Sequence, residues 1–180
     1  MLRELWRRTD GAAMVEAAFA FPVLLIMMCG VFEVGYFLLL NQKLQNAALN
    51  TADLTSRVDT ISQGEVSDLF AAAYEVIKPF DFSTSGTIIL TSVSADADDQ
   101  PEVFWQVKQP SDSVMDSVVG IPGGAAVLDN EITVRNQDTI IVSEVFYHYE
   151  PFLMGIVPEM DLRKEAYFRP RLGTLREIED

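Results

Sequence analysis

Residues 7–40 read RRTDGAAMVEAAFAFPVLLIMMCGVFEVGYFLLL, and the rest of the 180-residue chain is organised around them. From Ala17 to Phe32 there are 16 consecutive uncharged residues, and after Glu33 the apolar character resumes through Leu40. At ~1.5 Å per residue, a helix over Ala17–Leu40 extends about 36 Å, enough to cross a hydrocarbon layer of roughly 30 Å. The stretch therefore predicts a single membrane-spanning helix. Arg3, Arg7 and Arg8 precede it and only Lys43 follows closely. The positive-inside rule then puts residues 1–11 in the cytoplasm and residues 41–180 outside. A removable secretory signal would need a shorter apolar region, about 7–15 residues, ending in a small-x-small site. The nearby Ala18-Phe19-Ala20 lies at the wrong end of the run for that.

Charge and composition exclude several functions. With 13 Lys+Arg against 27 Asp+Glu the net charge is −14, which rules out a phosphate-tracking nucleic-acid binder. A hydrophobic content of 49% supports a folded core. One cysteine, Cys29, excludes an intramolecular disulfide, a cysteine zinc cluster and a CxxC pair, and reads as a small buried hydrophobe. His148 is alone, so histidine-based metal chemistry fails. Asp96-Ala-Asp-Asp99 clusters hard oxygens but lacks the glycine and distant glutamate of an EF-hand. No metal site is assigned there, and calcium binding stays open. With no GxSxG, phosphate loop or metal triad, neither an enzyme nor a cofactor is expected.

Two carboxylates and a proline interrupt the span. A carboxylate deep in a bilayer costs on the order of 2.5–3.5 kcal/mol, so it needs a partner or a purpose. Glu33 lies seven residues before the outer end of the run. Partial hydration or protonation there stands beside an intramembrane contact. Pro22 removes a backbone hydrogen bond inside the span, either to bend helices for packing or as a tolerated kink. Glu16 belongs to a larger constellation: the basic pair Arg7-Arg8, Gly11, then a glutamate five residues on, then the apolar run.

That constellation resembles the type III signal of prepilins and pseudopilins. More narrowly, Gly11-Ala-Ala-Met-Val-Glu16-Ala-Ala-Phe-Ala-Phe-Pro22, Gly30-Val-Phe-Glu33-Val-Gly35 and Leu44-Gln-Asn-Ala-Ala48 resemble the N-terminal signature of TadE/TadF-like minor pseudopilins of tight-adherence (Flp) pilus systems. Val145-Phe-Tyr147-His-Tyr149-Glu-Pro151 and Arg169-Pro170-Arg171 are similar to the C-terminal pattern of TadE-like chains. The chain departs from the family at Ala17, where an aromatic is usual. The resemblance implies that a membrane-embedded prepilin peptidase cuts on the cytoplasmic side after Gly11, leaving Ala12 as the new N-terminus. A cationic amine at Ala12 beside an apolar helix wants a carboxylate, and Glu16 lies four residues on. In a bundle Glu16 can equally reach a neighbour's amine. A negative side chain favoured by the helix N-terminus is the simpler alternative.

Beyond Leu40 the residues Leu40, Leu44, Ala47, Thr51, Leu54, Val58 and Ile61 form an amphipathic seam, predicting one helix from about 12 to 60. Ser62-Gln-Gly-Glu65 reads as a capping box opening a second helix to Ile77, with Val66, Leu69, Phe70, Ala73 and Ile77 inward and Pro79 as the stop. The period then changes to two, with strands at Thr87–Ser94, Val103–Lys108, Thr139–Glu150 and Leu162–Arg169, and Gly120-Ile-Pro-Gly-Gly124 as the clearest punctuation. The fold class expected is α+β: a pilin-like long N-terminal helix, half membrane span and half amphipathic scaffold, with a second helix and an antiparallel sheet. The divisions are 1–11 leader, 12–40 transmembrane half and 41–180 extracytoplasmic domain. Residues 79–161 hold 14 acids against Lys108 and Arg135, whereas 162–176 hold five basic residues and one acid. Arg163, Lys164, Arg169 and Arg171 can therefore pair with an acidic surface, the chain's own or a neighbour's.

The resemblance implies a minor pseudopilin for initiation, priming or tip formation of a type IVb pilus in surface adherence, single-pass in a bacterial inner membrane. Its partners would be the prepilin peptidase, other minor pseudopilins, the major Flp pilin and the inner-membrane assembly platform. The alternative is a non-pilin, signal-anchored periplasmic adaptor or adhesin that keeps its leader.

Overall fold

The structure, a computed structural model, describes residues 9–95, 100–129, 132–135 and 138–178. The basic leader residues Arg3, Arg7 and Arg8 and the acidic turn Asp96–Asp99 lie outside the described residues. The chain divides into two compact units. One holds the N-terminal helix through Leu38 together with Glu150–Glu159, and the other holds Leu39–Tyr149 and Met160 onward.

Helix α1, Thr9–Thr55, is continuous through Pro22 and contributes to both units. Ala and Leu are its commonest residues, eight of each, and both lose little freedom on helix formation. In the first unit residues 11–28 are exposed along every face but for the half-buried Cys29 and Gly30 that follow. In the second unit Leu40, Leu44, Ala47, Ala48, Thr51, Ala52 and Thr55 are buried.

Two details of the expected helix are corrected. It stops at Thr55 instead of near residue 60: Thr55 Oγ1 donates to Thr51 O at 2.8 Å and Ser56 Oγ to Asp53 O at 2.7 Å. Such side-chain bonds offer the last carbonyls an alternative to continued helix. Leu54 is not part of the seam but 41% exposed. Steps averaging 3.5 residues drift against a 3.6-residue turn, so the buried arc moves through Leu44, Ala48 and Ala52 to Thr55 and leaves Leu54 at its rim. There Leu54 lines, with Val58, Ile61 and Leu69, a shallow groove of about 420 Å³.

Helix α2, Gln63–Ile77, begins with the capping box: Glu65 N donates to Ser62 Oγ, and Ser62 N donates to Glu65 Oε2 at 2.8 Å. These bonds satisfy donors that a helix start otherwise leaves unpaired. Val66, Phe70, Ala73 and Ile77 are its buried face, and Leu69 is only half-buried. A single turn, α3 at Phe82–Ser85, is capped by Asp81 and carries the chain into the sheet.

Four antiparallel strands follow: β1 Gly86–Ala95, β2 Pro101–Gln109, β3 Thr139–Tyr149 and β4 Met160–Phe168, in spatial order β2-β1-β3-β4. Every residue of central β1 is buried, so both sheet faces are covered. One cover is the segment joining β2 to β3. Its Val119, Ala126 and Val134 pack with Val93, Val103, Ile140 and Val142. The Gly120-Ile-Pro-Gly-Gly124 stretch within it also binds the β2 edge: Gly123 N donates to Val103 O at 2.8 Å and Val103 N to Gly124 O at 2.9 Å. Gly120 sits at φ +137°, with Ala125 O only 2.9 Å from where a Cβ would be. No larger residue fits that turn without shifting the backbone. On the other face, Ser92 Oγ and Trp105 Nε1 both donate to Leu175 O at 2.8 Å, fixing the C-terminal segment.

Two substitutions on α2 should separate packing from capping. Phe70→Ala empties a fully buried site and should cost about 3–5 kcal/mol, whereas Ser62→Ala should cost ~1 kcal/mol. Urea unfolding of the detergent-solubilised chain, followed by tryptophan fluorescence, checks the ranking.

Candidate functional site

Three clusters contain the residues that the sequence singles out. The first is the exposed start of α1. Gly11 and Ala12 are helical and exposed, and a Cβ built on Gly11 meets nothing within 4 Å. Among the described residues, neither a turn nor a neighbour requires glycine there. Glu16 is exposed one turn beyond Ala12, on the same helix face. Pro22 sits in the helix without ending it.

The second cluster lies farther along the same helix, within the first unit. Glu33 is fully buried although most of its neighbours on α1 are exposed. Its cover is the β3–β4 connection: Met154 N donates to Glu33 Oε2 at 3.1 Å. Phe152 lies beside this bond, its ring centroid 5.7 Å from Tyr36 and 6.5 Å from Phe32. Ile156 Cδ1 comes so near Gly30 that an added Cβ would be 3.0 Å from it. Glu33 is thus a buried acceptor for a backbone amide. Its Oε1 has no hydrogen-bond donor among the described residues. Residues 150–159 carried no site expectation, because the pairing spans 121 positions of sequence. The one signal available was the apolar, charge-free run 151–158 within them.

The third cluster is in the second unit, where the basic residues near the C-terminus meet acids of the same chain. Arg163 Nε and Nη2 donate to Glu144 Oε1 at 2.9 and 2.7 Å, and Arg163 also pairs with Glu165. Glu144 is fully buried and additionally accepts from Val118 N at 3.1 Å and from Ser117 Oγ. Arg169 Nη1 reaches Asp138 Oδ2 at 3.2 Å, and Arg171 Nη2 reaches Asp53 Oδ1 at 3.1 Å. Lys164 is half-buried opposite Val145 in the β3–β4 register. Across the same strand pair His148 Nδ1 lies 2.7 Å from Asp161 Oδ1. Glu144 was not distinguishable in the sequence from the other acids, because only the strand register brings it against Arg163.

Protonation follows from this packing. Burial pulls the Arg163 guanidinium down, but hydrogen bonding and charge from Glu144, with Glu165 adding to them, raise it above its ordinary value. Asp53 is held below the usual carboxylate range, first by its hydrogen bond with Arg57, with the charges of Arg57 and Arg171 acting alongside. Burial, then the hydrogen bond and negative charge of Glu165, push the Tyr167 phenol up to about 12.

Arg163→Ala leaves Glu144 buried without its cation and should cost about 3–5 kcal/mol, while Glu144→Leu combined with Arg163→Leu should cost less than either single change. A double-mutant cycle in urea unfolding measures this. Because the folded state raises the Tyr167 pKa from 10.0 to about 12, its contribution is complete below pH 10 and lost as pH rises through 12. Tyr167→Phe should flatten that alkaline loss in a pH series of thermal midpoints.

Residues 11–53 match the family model described as TadE-like protein. No curated protein and no solved structure matches the chain. The matched segment contains Gly11, Glu16, Pro22 and Glu33, and it ends within the buried arc of α1. It also contains the one helix among the described residues long and apolar enough to cross a membrane, which fits a single-pass anchor. Over this segment the chain is similar to TadE-like proteins, which suggests an association with the Tad pilus machinery.

Proposed function

We propose that the chain is a minor pseudopilin required for assembly of a Tad/Flp type IVb pilus. In this reading it sits in a bacterial inner membrane as a single-pass protein, residues 1–11 cytoplasmic and the sheet domain periplasmic. Prepilin peptidase cuts after Gly11. The protein then works with other minor pseudopilins, the major Flp pilin and the assembly platform in initiation, priming or tip formation during surface adherence. It acts as an assembly component and not as an enzyme.

The observation that carries this reading is the bare start of α1. Among the described residues Gly11 is neither packed nor conformationally strained, which supports a role for its missing side chain outside the fold. A peptidase with a narrow site is such a partner. Glu16, one turn from Ala12, supports this reading, because it would neutralise the amine that cleavage exposes. That pairing counts when helices meet in an apolar bundle, where truncating one member of a buried pair costs roughly 3–5 kcal/mol.

Mass analysis of the membrane-purified protein should find a chain beginning at Ala12, and Gly11→Leu should abolish the cut. An uncut terminus in cells that possess the peptidase would favour a signal-anchored adaptor or adhesin. Glu16→Ala should still be inserted and processed yet leave cells without pili. Normal piliation would reduce Glu16 to a helix-end charge.

A further inference from the structure

Glu33 and the β3–β4 connection raise a question that assembly at the N-terminus leaves open. The connection reads Pro151-Phe-Leu-Met-Gly-Ile-Val-Pro158, eight uncharged residues bracketed by Glu150 and Glu159. A turn linking two strands of an acidic domain is ordinarily polar, because it meets water. Here Phe152, Leu153, Met154 and Ile156 are 63, 50, 49 and 50% exposed while their backbone lies against α1. Their neighbours on that helix are Gly30, Phe32, Glu33 and Tyr36.

The level of this contact along α1 identifies what meets the exposed side chains. The apolar run from Ala17 to Leu40 extends about 36 Å at ~1.5 Å per residue, a little more than a hydrocarbon thickness of roughly 30 Å. The buried carboxylate Glu33, seven residues before the outer end of that run, therefore falls in the outer leaflet within about two turns of its boundary, and the connection falls with it. An irregular backbone cannot lie in lipid with its amides unpaired. One carboxylate oxygen of Glu33 accepts the Met154 amide, the kind of bond such a position demands.

We propose that residues 151–157 are a second membrane contact: an interfacial foot whose apolar side chains enter the outer leaflet beside α1. Glu33 holds the foot at the boundary through the Met154 amide. Insertion of a few large apolar side chains about 5–10 Å into the headgroup–acyl boundary is the ordinary mode of an interfacial segment. The charge-free run supplies four of them, and Glu150 and Glu159 mark where the chain returns to water. The occupant is lipid hydrocarbon continuous with that around α1. The proposal rests on the membrane-anchor reading of α1.

The test uses the full chain with Cys29→Ser and single cysteines in turn at Leu153, Ile156, Met27 and Val114, labelled with an environment-sensitive fluorophore. The protein is reconstituted in phosphatidylcholine–phosphatidylglycerol vesicles with or without lipid bearing a nitroxide near the headgroup. Met27 reports the span, and Val114, 94% exposed in the second unit, reports water. Labels at Leu153 and Ile156 should emit to the blue of the Val114 label and lose emission to the nitroxide lipid at every protein-to-lipid ratio. Loop labels that match Val114 while Met27 responds overturn the foot and leave the anchor standing. Loop labels whose blue shift disappears on dilution into more lipid show that a second copy covers them, which also overturns it. If Met27 fails to respond, the anchor reading falls and the foot with it.

Discussion

Apolar helix surface has to leave water, and α1 carries more of it than this chain can cover. In the second unit the demand is met internally, with Leu40, Leu44, Ala48 and Ala52 buried down one side of the helix. In the first unit the chain offers almost nothing: residues 11–28 are bare on all sides, with Phe19, Phe21, Leu24, Met27 and Met28 among those exposed. The hydrophobic effect penalises exposed apolar area at roughly 25 cal/mol per Å², so a helix bare over five turns is stable only in lipid or among other helices. A membrane anchor and an assembly surface are both answers to that constraint.

The two buried carboxylates show how differently one chemical group is handled in the two units. Glu144 is surrounded by donors: the guanidinium of Arg163, the Val118 amide and the Ser117 hydroxyl. It ties β3 to β4 and to the segment crossing the sheet, so it specifies which strands and which loop meet. Breaking such a pair from one side is far more costly than never having built it. Glu33 has one amide on one oxygen and no donor among the described residues on the other. A half-satisfied carboxylate stabilises little by itself. Its effect is local, fixing the position of the β3–β4 connection against the helix.

The acidic character of the chain has a counterpart inside it. Arg163, Arg169 and Arg171 find Glu144, Asp138 and Asp53, and thereby join β4 and the residues after it to three separate parts of the second unit. Those arginines serve the internal organisation of the domain. The exposed pairs contribute little stability on their own, since solvent screens them, whereas the Glu144 pair is shielded by burial.

Periodicity and punctuation made much of the architecture readable. The span, the capping box at Ser62 and Glu65, the stop before Pro79 and all four strands rest on local rules: apolar run length, helix-end hydrogen bonding and period-two alternation. The spacing of Gly11 and Glu16 is likewise a local feature. What local rules cannot supply is register between distant segments and which of several equivalent side chains is buried. The end of α1 at Thr55, the rim position of Leu54 and the choice of Glu144 among the acids all follow from packing partners far away in sequence. Glu33 makes the distinction sharpest. The sequence by itself determined that a carboxylate interrupts an apolar helix, but only the tertiary structure decided that it is buried under a loop 121 residues away, because a backbone amide becomes a partner only when folding brings it there.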